Sequence, residues 1–415
     1  MKEIKKYKIV ILLTLFLGIY SNQAKAQTLD DYLQIAVENN PKVKAAYAEF
    51  EAALQRSAQA SGLLDPTLTM GAFGNMETLM GTETANFQLM QMFPWFGTLG
   101  KKEDAANLMA EAKFQQYLNA RNEVLFEVKS AYAEIYEVGK TIEFQEENLG
   151  ILNSYRELTL SAFRSGNSSM VNVVRIDIER DGASTEIELL KDQLRPLKAE
   201  FNLMLNRAPN EVVEIKDTLI IAENEALVDG EIFFDEHPTV QLYEKQQESY
   251  QIQEEVAKKE GLPMLGVGLE YTILSKSPMA MSGMNGRDML MPMVSVSLPI
   301  FRKKYKAMEK EAEFMARAME QEQQMQKNQL RSEYEMTLFE LKRAQRLIQL
   351  YDRQIESSRQ ANKLLVSGFS NNTEDFEEVL RMNQDILMLK TQQLQALKNG
   401  LTALAKMEYL FSKTE

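Results

Sequence analysis

Two long stretches of the chain share one pattern. From about Leu99 to Arg164, and from Arg302 to Val366, there is no proline and apolar residues return every seven positions. Val128, Ile135, Ile142 and Leu149 keep that period in the first stretch, with Leu125 and Tyr132 between them. Tyr334, Leu341, Ile348 and Ile355 keep it in the second, with Leu338 and Ala344 between. A strict seven-residue repeat predicts long helices in coiled packing with a left-handed supercoil. Their other faces carry Glu, Lys, Gln and Arg, as solvated faces do. Each such helix is about 100 Å long at 1.5 Å per residue. Shorter helices follow over residues 171–205 and 374–411, and Pro196 is placed to kink or interrupt the first of them.

A different period appears between the helices. Leu265, Val267, Leu269, Tyr271 and Ile273 alternate with Gly266, Gly268, Glu270 and Thr272, which predicts a strand with one apolar and one polar face. Its partner carries Leu290, Val294, Val296 and Leu298 on one side, and Met289, Met291, Met293, Ser295 and Ser297 on the other. Earlier, Phe87, Leu89 and Phe93 alternate with Asn86, Gln88, Met90 and Met92, and residues 67–73 form a weaker fourth strand. Strands of about ten residues cross a bilayer when tilted. Phe93, Trp95, Phe96 and Phe301 cluster where strands pass into helices, as an interfacial aromatic belt would. Four strands cannot close a barrel, and open edges are forbidden in lipid, so a membrane reading requires several chains. Two chains would supply eight strands and three would supply twelve; the pattern does not choose between them. The same alternation also suits a soluble hairpin packed on the helices.

The two halves repeat each other. Glu38-Asn39-Asn40-Pro41-Lys42-Val43 matches Asp235-Glu236-His237-Pro238-Thr239-Val240. Each half then runs through a polar helix, a proline (Pro66, Pro263), two alternating segments, a long helix, a Ser-Gly turn and a closing helix. The segment boundaries read as 1–26 for a leader, 27–206 for the first repeat, 207–234 for a linker and 235–413 for the second repeat.

The leader has a basic start (Lys2, Lys5, Lys6, Lys8), an apolar run from Ile9 to Tyr20 and an Ala24-Lys25-Ala26 cleavage site, the form of a secretory signal. Beyond it no apolar run is long enough for a spanning helix. There is no cysteine, so neither disulfides nor a lipidated cysteine are available. A formal charge of -13 argues against a nucleic-acid partner. No nucleophile–base–acid set, phosphate loop or HExxH motif appears, so the chain reads as no enzyme and needs no cofactor. The single histidine, His237, precedes Pro238 at a helix start, where a capping role outweighs a metal-binding one.

Methionine is the unusual component. Of 24, half fall in two short stretches: Met70, Met76, Met80, Met90 and Met92, then Met264, Met279, Met281, Met284, Met289, Met291 and Met293. Thioethers suit Cu(I) and Ag(I), so Met90, Met92, Met289, Met291 and Met293 are candidates for a metal-handling lumen. The plainer account is flexible gap-filling.

Taken in order, these features resemble the TolC-like outer membrane efflux proteins. The resemblance rests on Thr28-Leu29-Asp30-Asp31-Tyr32 leading to Glu38-Asn39-Asn40-Pro41, on the duplicated strand–strand–long helix unit, and on Ser165-Gly166 and Ser367-Gly368. It covers nearly all of residues 27–411. It implies a mainly α fold with a small membrane β part: a homotrimer whose four strands per chain form a twelve-stranded barrel in outer-membrane lipid. The long helices would form a periplasmic α-barrel. It implies a passive duct joined through a periplasmic adaptor (membrane fusion) protein to an inner-membrane pump of the RND type. The turns 165–172 and 367–375 would form the periplasmic tip, with Gly166 and Gly368 at tight helix exits where the adaptor docks. Asp375 and its neighbour Glu374 match the acidic gate position of the family; Asn172 stands there in the first repeat, a departure. The glutamate and aspartate equally suit a helix N-terminus. Small-molecule efflux, copper or silver efflux, and type I protein secretion share this architecture. A soluble periplasmic coiled-coil scaffold is the alternative of a different class.

Overall fold

A computed structural model describes residues 28–215, 218–221, 234–280, 283–371 and 373–412, with side chains omitted at 73–75. The leader over 1–26, Met281 and half of the linker lie outside the described residues. The order of elements is α1 (Leu29–Asn39), α2 (Pro41–Ala60), β1 (Thr67–Thr78), β2 (Gly81–Phe93), α3 (Thr98–Arg164), α4 (Met170–Met204), α5 (Pro238–Glu260), β3 (Met264–Ser275), β4 (Met289–Ser297), α6 (Lys303–Ser370) and α7 (Phe376–Leu410). The repeat is visible in the element order from α2 and from α5 onward: a helix, two strands, a long helix and a shorter helix. No described helix is long and apolar enough to cross a membrane.

Two compact units divide the chain, and both sequence repeats contribute to each. One comprises Met1–Pro41, Glu123–Asp229 and Glu335–Tyr409. Its core includes Val128, Ile135 and Ile142 of α3, Leu341 and Ile355 of α6, and Val379 and Leu394 of α7, all buried. The seven-residue stripes thus become the packed seam, as knobs on one helix fill holes on the next. At the start of this unit Thr28 caps α1: its side chain accepts from the Asp31 amide while the Asp31 carboxylate accepts from the Thr28 amide. Tyr32 is buried against Tyr132 and Phe201, with ring centroids 6.2 and 5.0 Å away. Helix α4 carries straight through Pro196, so that proline does not end it.

The other unit comprises Lys42–Asn122, Gly230–Tyr334 and Leu410–Glu415. His237 caps α5 by accepting from the Thr239 amide, the role its place before Pro238 predicts. Ser249 of α5 donates to the Ala105 carbonyl of α3 at 2.8 Å, tying two helices where small side chains bring them close. Above these helices lies a single sheet in the order β1-β2-β3-β4, every pair antiparallel. Strand β1 runs on through Gly71 and Met76 to Thr78, past the end that the sequence pattern gives it, with a register shift between Ala72 and Met76. The glycines and methionines there form ladder bonds without showing any apolar alternation.

Candidate functional site

The pairings align the strands into rungs, and the rungs decide the faces. Thr67, Met90, Gly268 and Met293 share one rung; Thr69, Gln88, Glu270 and Met291 the next; Gly71, Asn86, Thr272 and Met289 the next. Met92, Gly266 and Ser295 form the rung on the other side of Met90. Side chains on one strand alternate faces and rung neighbours share one, so all these residues lie on a single face. The five methionines singled out in the sequence, Met90, Met92, Met289, Met291 and Met293, are therefore brought together.

The opposite face carries Leu68, Met70, Phe87, Leu89, Leu265, Val267, Leu269, Tyr271, Leu290, Pro292, Val294 and Val296, with the polar Gln91 beside Val267. None is charged. Leu68 is 56% exposed, Val267 57% and Val294 78%. So large an uncovered apolar face is a contact surface in want of a covering phase. Among the described residues, the outer strands β1 and β4 each also present an edge without a partner strand.

On the polar face, two glycines of β3 sit beneath methionines of β2. Ser295 Oγ on β4 lies 3.6 Å from both Met90 Sδ and Met92 Sδ. Asn86 donates to Glu270 at 3.3 Å, holding a carboxylate on the same face. Sequence alternation identified the methionines but not Ser295, Gly266 and Gly268 as their neighbours, because only the cross-strand register brings them together.

The helix ends in the first unit form the second candidate region. Helix α3 ends in a Schellman turn: the Asn167 amide donates to the Ala162 carbonyl at 2.8 Å, and the Gly166 amide to that of Phe163 at 3.0 Å. Gly166 has φ +80°, which only a residue without Cβ adopts freely. Gly368 differs from the tight helix exit that its sequence match implies. It lies inside α6, which runs on to Ser370, and a Cβ there would strike the Glu374 side chain. Its need is close approach of the following turn. Asn172 is in the first turn of α4 and donates to Ser168 Oγ at 3.2 Å. Glu374 and Asp375 are exposed immediately before α7.

Beneath that turn Phe369 and Phe376 are buried with ring centroids 5.1 Å apart. Tyr155 stands edge-on to Phe376, and its hydroxyl accepts from Asn362 at 3.0 Å. Phe369 falls within residues that the sequence pattern assigned to a loop; its seven-residue spacing from Phe376 was the available signal. Around the core, Arg156 and Arg180 both reach Asp177, at 2.7 and 3.1 Å, and Arg175 pairs with Glu377. Hydrogen bonding from Arg156, reinforced by Arg180, holds the Asp177 carboxyl below the ordinary aspartate range. A buried amide pair, Asn383 to Asn148 at 2.7 Å, joins α7 to α3.

Residues 32–205 match the sequence model of the outer membrane efflux protein family. A comparison of the full sequence with curated proteins finds no match. The fold is similar to that of the outer-membrane channel OprN, with a TM-score of 0.76 at 16% identity, over 92% of this chain and 89% of that one. It is similar to the outer membrane protein VceC from Vibrio cholerae, with a TM-score of 0.74 at 15% identity, over 93% and 97%. The MtrE outer membrane channel of Neisseria gonorrhoeae gives 0.71 at 15% identity, over 92% and 88%. The match to the outer membrane efflux protein family thus spans nearly all of the first repeat, and the fold is similar to that of such channels over more than nine-tenths of the chain.

Proposed function

We propose that the chain is the outer-membrane duct of a tripartite export system, working as a homotrimer. The observation that carries this is the sheet: four strands, open at both edges, uncharged and exposed on one face, polar and methionine-rich on the other. Lipid covers the first face and a water-filled lumen the second, as in outer-membrane barrels. Pairing β4 of one copy with β1 of the next removes both edges, and three copies close a twelve-stranded barrel. Export then needs no chemistry from this chain. The driving energy comes from an inner-membrane pump of the RND type, reached through a periplasmic adaptor docked at the turns around Gly166 and Gly368. Glu374 and Asp375, repeated about a threefold axis with Asn172, form a cation-favouring ring at the entrance.

The test is the protein mass of the complex extracted from the outer-membrane fraction. Three chains released only by detergent is the expected result; a water-soluble monomer or dimer would overturn the proposal and leave a periplasmic scaffold. A second reading concerns cargo. Five thioethers on the polar face favour soft metal ions, Cu(I) or Ag(I), over drugs or secreted protein. Unchanged copper and silver tolerance in cells whose Met289, Met291 and Met293 are all replaced by Leu would remove it.

A further inference from the structure

We propose that Met90, Met92 and Ser295 form a binding site for a soft monovalent cation, Cu(I) or Ag(I), over the bare Cα of Gly266. This deepens the reading of the polar face as a duct lining that handles soft metal. The geometry begins with what is missing. A Cβ on Gly266 would lie against Ser295 Oγ, 2.6 Å from Met92 Sδ and 3.2 Å from Met90 Sδ. The two sulfurs therefore lie within 5.8 Å of each other, the sum of those two distances. Two thioethers and a hydroxyl thus converge on one small space, which an alanine would fill. A cation held just above it, displaced outward from the Cα, meets all three donors with small rotations of flexible methionine side chains.

Gly268 repeats the arrangement on the adjoining rung. A Cβ there would lie 3.0 Å from Met90 Sδ and 2.8 Å from Met90 Cε. Two glycines in alternate positions weaken a strand, and such glycines mark places where something approaches the backbone closely. Here the approaching groups are the thioether ends. Packing alone would be served by leucine, which has similar volume and no sulfur. Thioether donors select Cu(I)-like ions over Mg2+ or Ca2+, which demand oxygen. Met293 shares the Met90 rung and offers a further sulfur nearby, and the Glu270 carboxylate one rung on supplies the negative charge that draws a cation to this face. Met90, Met92, Met293 and Ser295 are only half-buried, so an ion bound there can leave, as transit requires.

The experiment titrates Ag(I), as silver nitrate, into the detergent-extracted full-length complex, with calorimetry for stoichiometry and X-ray absorption for the ligands. One silver per chain with sulfur neighbours is expected. The pair Met90→Leu and Met92→Leu should weaken binding roughly tenfold or more, a loss of about 1.4 kcal/mol per decade. Gly266→Ala should do the same, although it removes no donor. Met70→Leu, on the opposite face of the sheet, should leave the affinity unchanged. A wild type that takes up no stoichiometric silver, or a Met90/Met92 double variant that binds as tightly as wild type, would overturn the site. The mass of each variant complex, measured on the same sample, reports its assembly separately. A trimer indifferent to silver ends the metal site and keeps the duct, whereas a chain that never forms a detergent-extracted oligomer ends the duct.

Discussion

On the sheet Val294 is 78% exposed and Leu290 62%, whereas beside the α6–α7 turn Phe376 is 2% exposed and Phe369 7%. Both regions invest in large apolar side chains. The helix ends bury theirs within one chain, among Leu152, Tyr155, Ile176 and Val379, and keep ion pairs such as Arg156–Asp177 outside. The sheet leaves its apolar face bare, and among the described residues no strand of the chain pairs with either of its edges. One region is complete as a folded unit; the other leaves its apolar face uncovered, and on the proposed duct its stability comes from lipid and from further copies. Substitutions should therefore read out differently in the two places: as folding stability at the helix ends and as assembly on the sheet.

The largest effect is expected from Phe376→Ala. Deleting a fully buried aromatic ring costs about 3–5 kcal/mol in a core that cannot collapse around the gap. The thermal midpoint of the extracted protein should fall sharply, with the oligomer still formed at low temperature. An unchanged midpoint would mean that the helix ends are not a self-sufficient core. Val294→Arg, on the bare face, should cost about 2–4 kcal/mol if that side chain lies near the middle of a bilayer. Its signature is loss of the detergent-extracted oligomer. Met291→Arg, one rung face away on the same sheet, should assemble normally, because it projects from the polar face. Equal yields of the two variants would break the assignment of faces.

These faces were legible in the sequence because a strand has a period of two, and nothing in β3 or β4 interrupts it. The long helices were legible because seven-residue spacing survives over many turns, as at Val128, Ile135 and Ile142. What was hidden depends on contacts between distant segments. Strand β1 continues through Gly71 and Met76, which carry no alternation, because β2 supplies the ladder. Gly368 looks like a helix stop but serves the close approach of Glu374, and the helix passes it to bury Phe369. Pro196 looks like a break, yet the helix carries through it, with Leu194 and Leu197 on either side packed against the core around Ile142, Ile187 and Leu190. In the polar face, the methionines were visible and their convergence on Gly266 was not: residues 92, 266 and 295 meet only through the register of three strands.

A smaller effect sharpens the comparison inside the helical core. Asn148 and Asn383 are buried and bonded to each other at 2.7 Å across α3 and α7. Replacing either by leucine strands the other amide without a partner, at about 1–3 kcal/mol. Replacing both removes the stranded group, so the double variant should be more stable than either single one. Denaturant unfolding of the four proteins measures the coupling. Additive losses would mean that the amides act separately, and the pair would then have no role in fixing the register of the two helices.

The smallest effect is a pH dependence at the exposed cluster around Asp177. Its carboxyl is held below the ordinary range, first by the hydrogen bond from Arg156 and then by Arg180. A depressed pKa means that the unfolded chain binds the proton more readily than the folded one. The stabilisation is therefore present above the unfolded aspartate value, about 4, and is lost as pH falls through the lower folded value. Because the group faces solvent, water and salt screen the pair and the gain is slight. Wild type should exceed Asp177→Asn in thermal midpoint by a small margin at pH 6, and the two should converge as the carboxyl protonates. Added salt should narrow the gap at pH 6. A gap that persists unchanged into strong acid would show that the arginines hold the α3–α4 hairpin through geometry that the amide preserves poorly, and not through charge.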